Sequence, residues 1–406
     1  MTLKNIKSAS VPDALQGYCL IDSLRPRYWP TVWAATAGAR LAPSTLSQRL
    51  SHIDRLYAFS CQLQGSDTLD QHLAHLDFDQ IETCLTSYFS YVQNAGARQP
   101  EKHPMAWPAA YRFVLDILTW LTQVEAQSHK LTSLFRRLNR LTSLYQNLRP
   151  HRSRSYRNVR ALPSSVIEEV YEVSTPDSRR NPFRTQAAQE RNYALILLFL
   201  HQGLRRSEAL LLHANPVNRA DSSIREKQYT WLNIVDYSGP LDKRSFRPSL
   251  KTTASQRQIP ISSPLADIVT NYSDNWRGKQ PHPFLFSNNR HQPMSVRNVN
   301  RIFFSLSSSL SKGAAADLSR VLGRQVITPH DLRHTCAVVR LTQFIDAGTE
   351  MAVALQKLRA FFGWSYASEM PRHYARAYFE NRLSTVWSDQ FDIHTDALRR
   401  LESTNG

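Results

Sequence analysis

The chain contains few cysteines and none of the glycine motifs that bind nucleotides. Its four cysteines are scattered over 406 residues without a CxxC pair, which argues against a zinc knuckle and favours a reduced, cytoplasmic setting. A P-loop of the form GxxxxGK followed by Ser or Thr, a GxGxxG and a GxSxG are all missing. A P-loop enzyme and a dinucleotide-binding fold therefore have no support.

Long hydrophobic runs are missing too. The longest strongly apolar stretch, YALILLFL at residues 193–200, is too short to cross a bilayer. The N-terminal MTLKNIKSAS has no apolar segment of the kind that a secretory signal needs. We therefore predict no membrane partner.

Acidic residues are in the minority, since 33 Asp and Glu face 50 Lys and Arg and leave a formal net charge of +17. Hydrophobic residues make up 42% of the chain, as in a globular protein. The length suits about two or three domains. A surplus of positive charge this large indicates a polyanionic partner, and nucleic acid is the first candidate.

Helical periodicity dominates residues 26–148. PSTLSQRLSHIDRLYAFS, which begins at Pro43, places apolar side chains on one face, and Ser44 or Thr45 is predicted to cap it. DQIETCLTSYFSYV, AAYRFVLDILTWLTQV and HKLTSLFRRLNRLTSLYQNL repeat the pattern. We predict a compact all-helical domain over this range, preceded by a tail at residues 1–25.

A basic segment, RPHRSRSYRNVR, follows at residues 149–160 and contains five arginines and no acid. It is either a solvated linker or a linker that lies against DNA phosphates, and the net charge of the chain favours the second interpretation. We assign residues 149–161 as the interdomain linker. The predicted DNA-binding residues are Arg149, Arg152, Arg154, Arg157 and Arg160.

Residues 162–406 mix helices with short strands. LPSSVIEEVYEV predicts a capped helix, ERNYALILLFLHQGLRRSEALLL a mostly buried helix that runs into a glycine break, and the chain from VRNVNRIFFSLSSSL onward is helical. YTWLNIVDY, PSLKT and RQIPI are predicted strands, the last two forming a hairpin, and FLF is a further candidate. This pattern predicts an α+β domain, mostly helix, with one small antiparallel sheet.

The stretch TPHDLRHT, residues 328–335, has two interpretations. His330 and His334 are four residues apart and can share a helix face that binds a metal, but the glutamate of a zinc helix and a third ligand are missing. His330 and Arg333 also share a face, where they can hold a phosphate and manage a proton. In the second interpretation, which we favour, Asp331 suits the helix dipole and His334 makes a supporting hydrogen bond.

Other groups suited to phosphate chemistry stand before and after this stretch. Arg205 follows the glycine break, Lys251 ends a predicted strand, and Trp364 follows an apolar helix end, where its indole can donate a hydrogen bond or pack in the core. Tyr374 and Tyr378 lie on a helix started by Pro371. Each signal is weak alone, but the order Arg, Lys, His-x-x-Arg, Trp, Tyr is specific.

Residues 160–380 resemble the catalytic domain of the tyrosine recombinases, the phage integrase family of site-specific DNA recombinases. The resemblance rests on HQGLRRSEALLL, SLKTTASQRQIPI, TPHDLRHT, LRAFFGW and RHYARAY, in the family's order and approximate spacing. Residues 26–148 resemble the family's core-binding domain, without a diagnostic motif. The resemblance implies the fold of DNA breaking-rejoining enzymes.

By position, the resemblance implies six catalytic residues and one that supports the first arginine. The catalytic residues are Arg205, Lys251, His330, Arg333, Trp364 and Tyr374, and the supporting residue is Glu208. Trp364 stands where most members have histidine. Tyr378, one turn beyond Tyr374, is the alternative nucleophile, and the neighbouring RHYAR favours Tyr374.

The resemblance also implies strand cleavage and rejoining through a covalent 3′-phosphotyrosine, with no metal and no cofactor. The implied partner is double-stranded DNA with specific recombination sites, bound by a homotetramer whose protomers are monomeric or weakly associated when free and exchange a C-terminal segment. The implied location is the cytoplasm, with action at the bacterial nucleoid.

Several points stay open at this stage. The sequence does not settle the target site, the type of recombination, the need for an accessory recombinase or a DNA-bending protein, or whether the C-terminal segment docks in cis or in trans. Two alternative functions remain, a type IB topoisomerase-like enzyme that relaxes DNA and a non-catalytic DNA-binding regulator on the same fold.

Overall fold

The chain divides into two compact units, residues 1–156 and 157–406, and their boundary falls within the predicted linker. The computed structural model describes residues 2–6, 16–98, 106–122, 132–133, 136, 138–140, 143, 161–222, 227–236, 242, 244, 247–250, 255–376 and 378–379. The five linker arginines, Lys251 and the C-terminal exchange segment lie outside the described residues.

Helices form most of the first unit, as the apolar periodicity predicts. They span Tyr28–Ala35 (α1), Pro43–Gln64 (α2), Leu69–Ala74 (α3), Phe78–Arg98 (α4) and Ala106–Thr122 (α5). Their apolar faces pack around Trp33, Tyr57 and Trp107. The N-cap of α2 is Ala42, and neither Ser44 nor Thr45 caps it. The reason is that a proline in the first turn has no N–H to leave unpaired, and its fixed φ suits the helix.

The predicted N-terminal tail is wrong, because part of it forms a sheet. Strands Thr2–Ile6 (β1), Gly17–Asp22 (β2) and Arg25–Pro26 (β3) pair antiparallel in the order β1-β2-β3. Leu20 of β2 is buried in the core of the first unit. β2 buries three consecutive residues, so its sequence shows neither strand alternation nor helical periodicity.

The second unit is mostly helical and is built around one buried helix. Its helices span Ser164–Ser174 (α6), Gln186–His201 (α7), Arg206–Leu211 (α8), Ser263–Asn271 (α9), Val296–Ser308 (α10), Lys312–Leu322 (α11), Pro329–Asp346 (α12) and Met351–Phe362 (α13). Residues 370–376 are also helical. In α7, residues 194–200 are all buried, because neighbouring helices cover every side of a stretch that is apolar throughout.

A small antiparallel sheet lies in the same unit, but its pairing differs from the prediction. Strands Val217–Ser222 (β4) and Arg257–Pro260 (β6) flank Lys227–Ile234 (β5), with Leu232 opposite Ile259. RQIPI therefore pairs with YTWLNI rather than with PSLKT, whose described residues 248–250 carry no strand. β4 escapes prediction because VNRADS lacks β-branched and aromatic residues beyond its first position.

The predicted short strand FLF is an isolated bridge, in which Phe284 pairs with His213. The predicted fold class is confirmed, since both units are mostly helical and carry small antiparallel sheets. A second cluster of buried residues joins α12, α13 and the helical residues 370–376. Within the described part of the chain, no helix is long and apolar enough to cross a membrane.

Candidate active site

Two arginines face one cavity of about 340 Å³ in the second unit. Arg205 stands immediately before α8, at the glycine break, and Arg333 lies in the first turns of α12. The cavity is also lined by Arg206, Thr328 and His330. Three cationic side chains in one opening, with an imidazole beside them, form a site suited to an anion.

Arg205 is held by contacts to three elements. Its backbone N–H donates to Oε2 of Glu208 at 2.8 Å and its Nη1 donates to Oε1 at 2.6 Å. Nη1 also donates to Ser255 Oγ at 3.2 Å, and Nη2 donates to the Gly363 carbonyl at 3.2 Å. The side chain remains 21% exposed, so part of its fork is available to a ligand.

Arg333 is buried and docks on the carboxyl ends of two helices. Its guanidinium donates to the Gly203 carbonyl after α7 and, at 2.8 Å, to the Phe362 carbonyl at the end of α13. The Phe362 carbonyl belongs to the last turn of α13, where the helix dipole favours a cation, and the Gly203 carbonyl lies two residues beyond α7. Burial and the nearby Arg205 and Arg257 lower the pKa of Arg333 to about 10, so it stays protonated at neutral pH.

One buried carboxylate, Glu208, organises both arginines. Its oxygens lie 2.6 Å from Arg205 Nη1, 3.1 Å from Arg257 Nη1 and 3.7 Å from Arg333 Nη1. Burial raises the pKa of Glu208, but the ion pairs with Arg257, Arg333 and Arg205 outweigh burial and hold the pKa below its usual range. Glu208 is therefore an anion at neutral pH and can orient the guanidinium groups around it.

Tyr374 packs against the same cluster. Its ring stacks on Trp364 with centroids 5.3 Å apart, and Trp364 in turn stacks on Phe362 at 4.9 Å. The Tyr374 hydroxyl lies 2.6 Å from Nδ1 of His334. Burial raises the pKa of Tyr374 above its usual value, whereas burial and nearby cations lower the pKa of His334 to about 3. The hydroxyl therefore donates, and the neutral imidazole accepts.

His330 lies at the cavity, and its ring packs edge-on against His334 with centroids 4.1 Å apart. Partial burial and the charge of Arg333 lower the pKa of His330. Asp331 caps the helix that carries both histidines, because it accepts from the Thr328 N–H at 2.8 Å and from the Thr328 hydroxyl at 2.7 Å. It also accepts from Arg324.

The structure thus brings together most of the residues that the sequence singles out. They are Arg205, Glu208, His330, Arg333, Trp364 and Tyr374. Tyr378, the alternative nucleophile, has its ring 5.9 Å from Phe379, whereas the contacts with His334 and Trp364 belong to Tyr374. Among the described residues, no group of three or more His, Cys, Asp or Glu could hold a metal ion.

Sequence reasoning missed two arginines of this site. Arg206 lines the cavity, and Arg257 binds Glu208 with both of its terminal nitrogens at 3.1 Å. Arg206 directly follows Arg205 in the GLRRSE motif. The start of a helix at this position is a signal that could have pointed to both arginines as site residues. Arg257 is the first residue of β6. The available clue is a charged residue in RQIPI whose side chain faces inward, since a buried charge needs a partner.

At Gly203, the site depends on the absence of a side chain. Its φ is +56°, and an added Cβ would lie 2.4 Å from the Phe362 ring and 3.2 Å from Cys336 Sγ. We expect Gly203→Ala to lower the free energy of unfolding by roughly 1–3 kcal/mol, because the buried Phe362 ring must shift. Thermal unfolding measures the change.

Gly278→Ala is the matched control, since Gly278 has a φ of +64° with nothing within 4 Å of an added Cβ. It carries the backbone strain without the clash, so it should lose less stability than Gly203→Ala. Equal losses in the two variants would show that the Phe362 ring yields without cost.

Comparisons with known proteins place the second unit in a family. A family model described as "Phage integrase family" matches residues 160–381. Among solved structures, XerA recombinase is 14% identical, with 88% of this chain and 97% of that chain covered and a TM-score of 0.36. XerH site-specific recombinase bound to palindromic difH substrate, a post-cleavage complex, is 14% identical, with 86% and 97% covered and a TM-score of 0.42.

A search of curated proteins gave no match. The family match covers more than half of the chain and contains the Arg205, His330–Arg333 and Tyr374 motifs. The predicted family is therefore confirmed, and the chain belongs to the phage integrase family, the tyrosine recombinases.

Proposed function

We propose that this chain is a site-specific DNA recombinase that cleaves and rejoins DNA through a covalent 3′-phosphotyrosine on Tyr374. One observation carries the proposal: Arg205 and Arg333, both paired with Glu208, face a single cavity, and Tyr374 packs on Trp364 beside them. Membership of the phage integrase family supports the reaction class.

In the proposed reaction, the Tyr374 oxygen attacks the phosphorus of a DNA phosphodiester. The new bond joins the tyrosine oxygen to phosphorus, and the bond from phosphorus to the 5′-oxygen breaks, which releases a 5′-hydroxyl. Arg205 and Arg333 bind the two non-bridging oxygens, where negative charge increases in the transition state. The 5′-hydroxyl of another strand then attacks the phosphotyrosine, so the bond energy is conserved and ATP is not consumed.

The tyrosine proton has to leave as the new bond forms, because burial keeps the Tyr374 pKa above its ordinary value. We propose that His334 is the first acceptor, since its Nδ1 lies 2.6 Å from the hydroxyl. His330, packed against the His334 ring, connects this acceptor to the cavity. A bound phosphodiester adds a negative charge beside both rings, which raises their pKa values and makes them better proton acceptors.

Replacing His334 tests this role. His334→Ala should slow adduct formation about 10-fold to 100-fold, because the tyrosine hydroxyl loses both its proton acceptor and the group that orients it. His334→Asn places an amide oxygen near the Nδ1 position and should recover part of the rate, whereas His334→Gln, which mimics Nε2, should not. Single-turnover adduct formation at saturating DNA measures this, and equal rates for Asn and Gln would rule out an Nδ1-specific contact.

The remaining predictions concern assembly on DNA and extend this proposal. The first unit would bind DNA as the family's core-binding domain, the linker arginines would contact phosphates, and four protomers would join two recombination sites. The predicted location is the cytoplasm, with action at the bacterial nucleoid. These roles depend partly on residues outside those that the structure describes, and they remain predictions.

Covalent trapping tests the proposed function. Duplexes that bind the chain would first be selected from a random pool, and a nick would be placed just 3′ of each trial cleavage position. The short 5′-hydroxyl fragment then diffuses away, so a protein–DNA adduct that survives denaturation accumulates. Specific binding without any adduct would favour the non-catalytic regulator.

A relaxation assay separates the recombinase from the type IB topoisomerase-like alternative. A supercoiled plasmid that lacks the selected site should stay supercoiled, because a site-specific enzyme requires its own sequence. Efficient relaxation of that plasmid would favour the topoisomerase.

A further inference from the structure

Arg257, at the start of β6, makes more polar contacts with the site than any sequence motif suggests. Its side chain is 7% exposed. Nη1 and Nη2 each lie 3.1 Å from one oxygen of Glu208. Nε donates to the Phe361 carbonyl at 2.7 Å, and Nη1 donates to the Ser255 carbonyl at 2.7 Å. Arg257 therefore connects the sheet, the end of α13 and the carboxylate below the catalytic arginines.

Arg257 does not itself face the cavity that would receive the DNA phosphate. Of the described residues, those that line the cavity include Arg205, Arg206 and Arg333, and Arg257 is not among them. Its two-pronged contact reaches both oxygens of Glu208. Arg205 contacts the same two oxygens, through Nη1 at 2.6 Å and through its backbone N–H at 2.8 Å, and Arg333 stays 3.7 Å away. The guanidinium of Arg333 is thus free to keep its carbonyl contacts.

We propose that Arg257 is a positioning residue. It keeps Glu208 ionised and hydrogen-bonded at both oxygens, so that Arg205 and Arg333 stay directed at the phosphate. The inference rests on the proposed recombinase function and names a residue that acts through Glu208. Without Arg257, each Glu208 oxygen would keep a contact from Arg205 but lose its second partner. The buried carboxylate would then draw Arg333 toward itself, because a buried charge is stabilised only by close partners. Such a displacement would misplace the groups that bind the transition state.

The sign of the pH dependence follows from the Glu208 pKa, which lies below its usual range. Activity that needs ionised Glu208 is present above that pKa and is lost as the pH falls through it. Removing Arg257 takes away the largest of the interactions that lower the pKa and leaves burial, which raises it. The acid limb of the rate profile must then move to higher pH.

The experiment compares Arg257→Met, Arg257→Lys and the unmodified chain in single-turnover adduct formation on the nicked duplex, from about pH 3 to 9, because an unperturbed Glu pKa is about 4.3. Arg257→Met should slow the reaction roughly 10-fold to 100-fold near neutral pH and move the acid limb up by about one unit or more. Arg257→Lys keeps the charge without the two-pronged contact, so its limb should lie between the other two. Arg320→Met, which removes an exposed ion pair with Asp317, should change neither quantity.

A double variant decides whether Glu208 is the titrating group. Adding Glu208→Gln to Arg257→Met removes the carboxylate, so the shifted limb should disappear. Its persistence would assign the limb to another group and overturn the inference. An Arg257→Met limb at the position of the unmodified chain, with only a slower rate, would also overturn it, because a merely structural role lowers the rate without moving the pKa.

Failure of the proposed function and failure of the positioning role can be told apart. If the unmodified chain forms no adduct on any selected duplex, the proposed function fails, whatever Arg257 does. If Arg257→Met lacks a cooperative unfolding transition, Arg257→Lys decides: a limb moved to higher pH supports the positioning role, and an unmoved limb overturns it.

Discussion

A Tyr374→Phe chain should form no covalent adduct with DNA and should still bind its selected site. The hydroxyl is the proposed nucleophile, and removing a nucleophile costs on the order of 10⁴-fold or more in rate. The ring, which stacks on Trp364 at 5.3 Å, remains in place, so the packing below the cavity is kept. The loss of one hydrogen bond to His334 should lower the free energy of unfolding by about 1 kcal/mol.

Tyr378→Phe is the matched control. Tyr378 lies four residues further along the chain, also in a helical position, and its ring is also buried. It should form the adduct at the rate of the unmodified chain, measured on the nicked duplex by gel mobility after denaturation. An adduct from Tyr374→Phe, together with none from Tyr378→Phe, would move the nucleophile to Tyr378.

The motifs predicted which residues form this site better than they predicted the contacts between those residues. Arg205, Glu208, His330 and Arg333 could be assigned because their types and spacing suit phosphate chemistry and helical faces. That His334 rather than His330 contacts the tyrosine could not be predicted, because both histidines share one helix face. The choice depends on where the helical residues 370–376 pack, and that is a tertiary contact.

The fold, too, was predictable where the signal is local and not where it depends on long-range contacts. The helices α2, α4 and α5 follow from apolar periodicity and α7 from a continuous apolar run, since burial on one face or on all faces leaves a local pattern. The pairing of β6 with β5 instead of PSLKT joins segments more than twenty residues apart, and no local pattern encodes that choice. Arg257 was missed for the same reason, because its partner Glu208 lies 49 residues earlier in the chain.

Lys251→Ala should cleave ordinary DNA very slowly. An alkoxide leaving group needs a proton, and a general acid typically contributes about 10²-fold to 10⁴-fold. We propose Lys251 for this step. Ser255, four residues further on, is buried and contacts Arg205 Nη1 at 3.2 Å. Four residues span at most about 14 Å, so chain connectivity keeps Lys251 in the neighbourhood of the Arg205 contact.

A substrate with sulfur in place of the 5′-bridging oxygen separates proton donation from positioning. A thiolate leaves without a proton, so Lys251→Ala should cleave this duplex at nearly the rate of the unmodified chain, measured as single-turnover adduct formation at saturating DNA. Arg333→Ala is the control, because it removes stabilisation of the non-bridging oxygens and should stay slow on both duplexes. Lys251→Ala that remains slow with sulfur present would show that the lysine positions the DNA, and the leaving 5′-oxygen would then need another proton source.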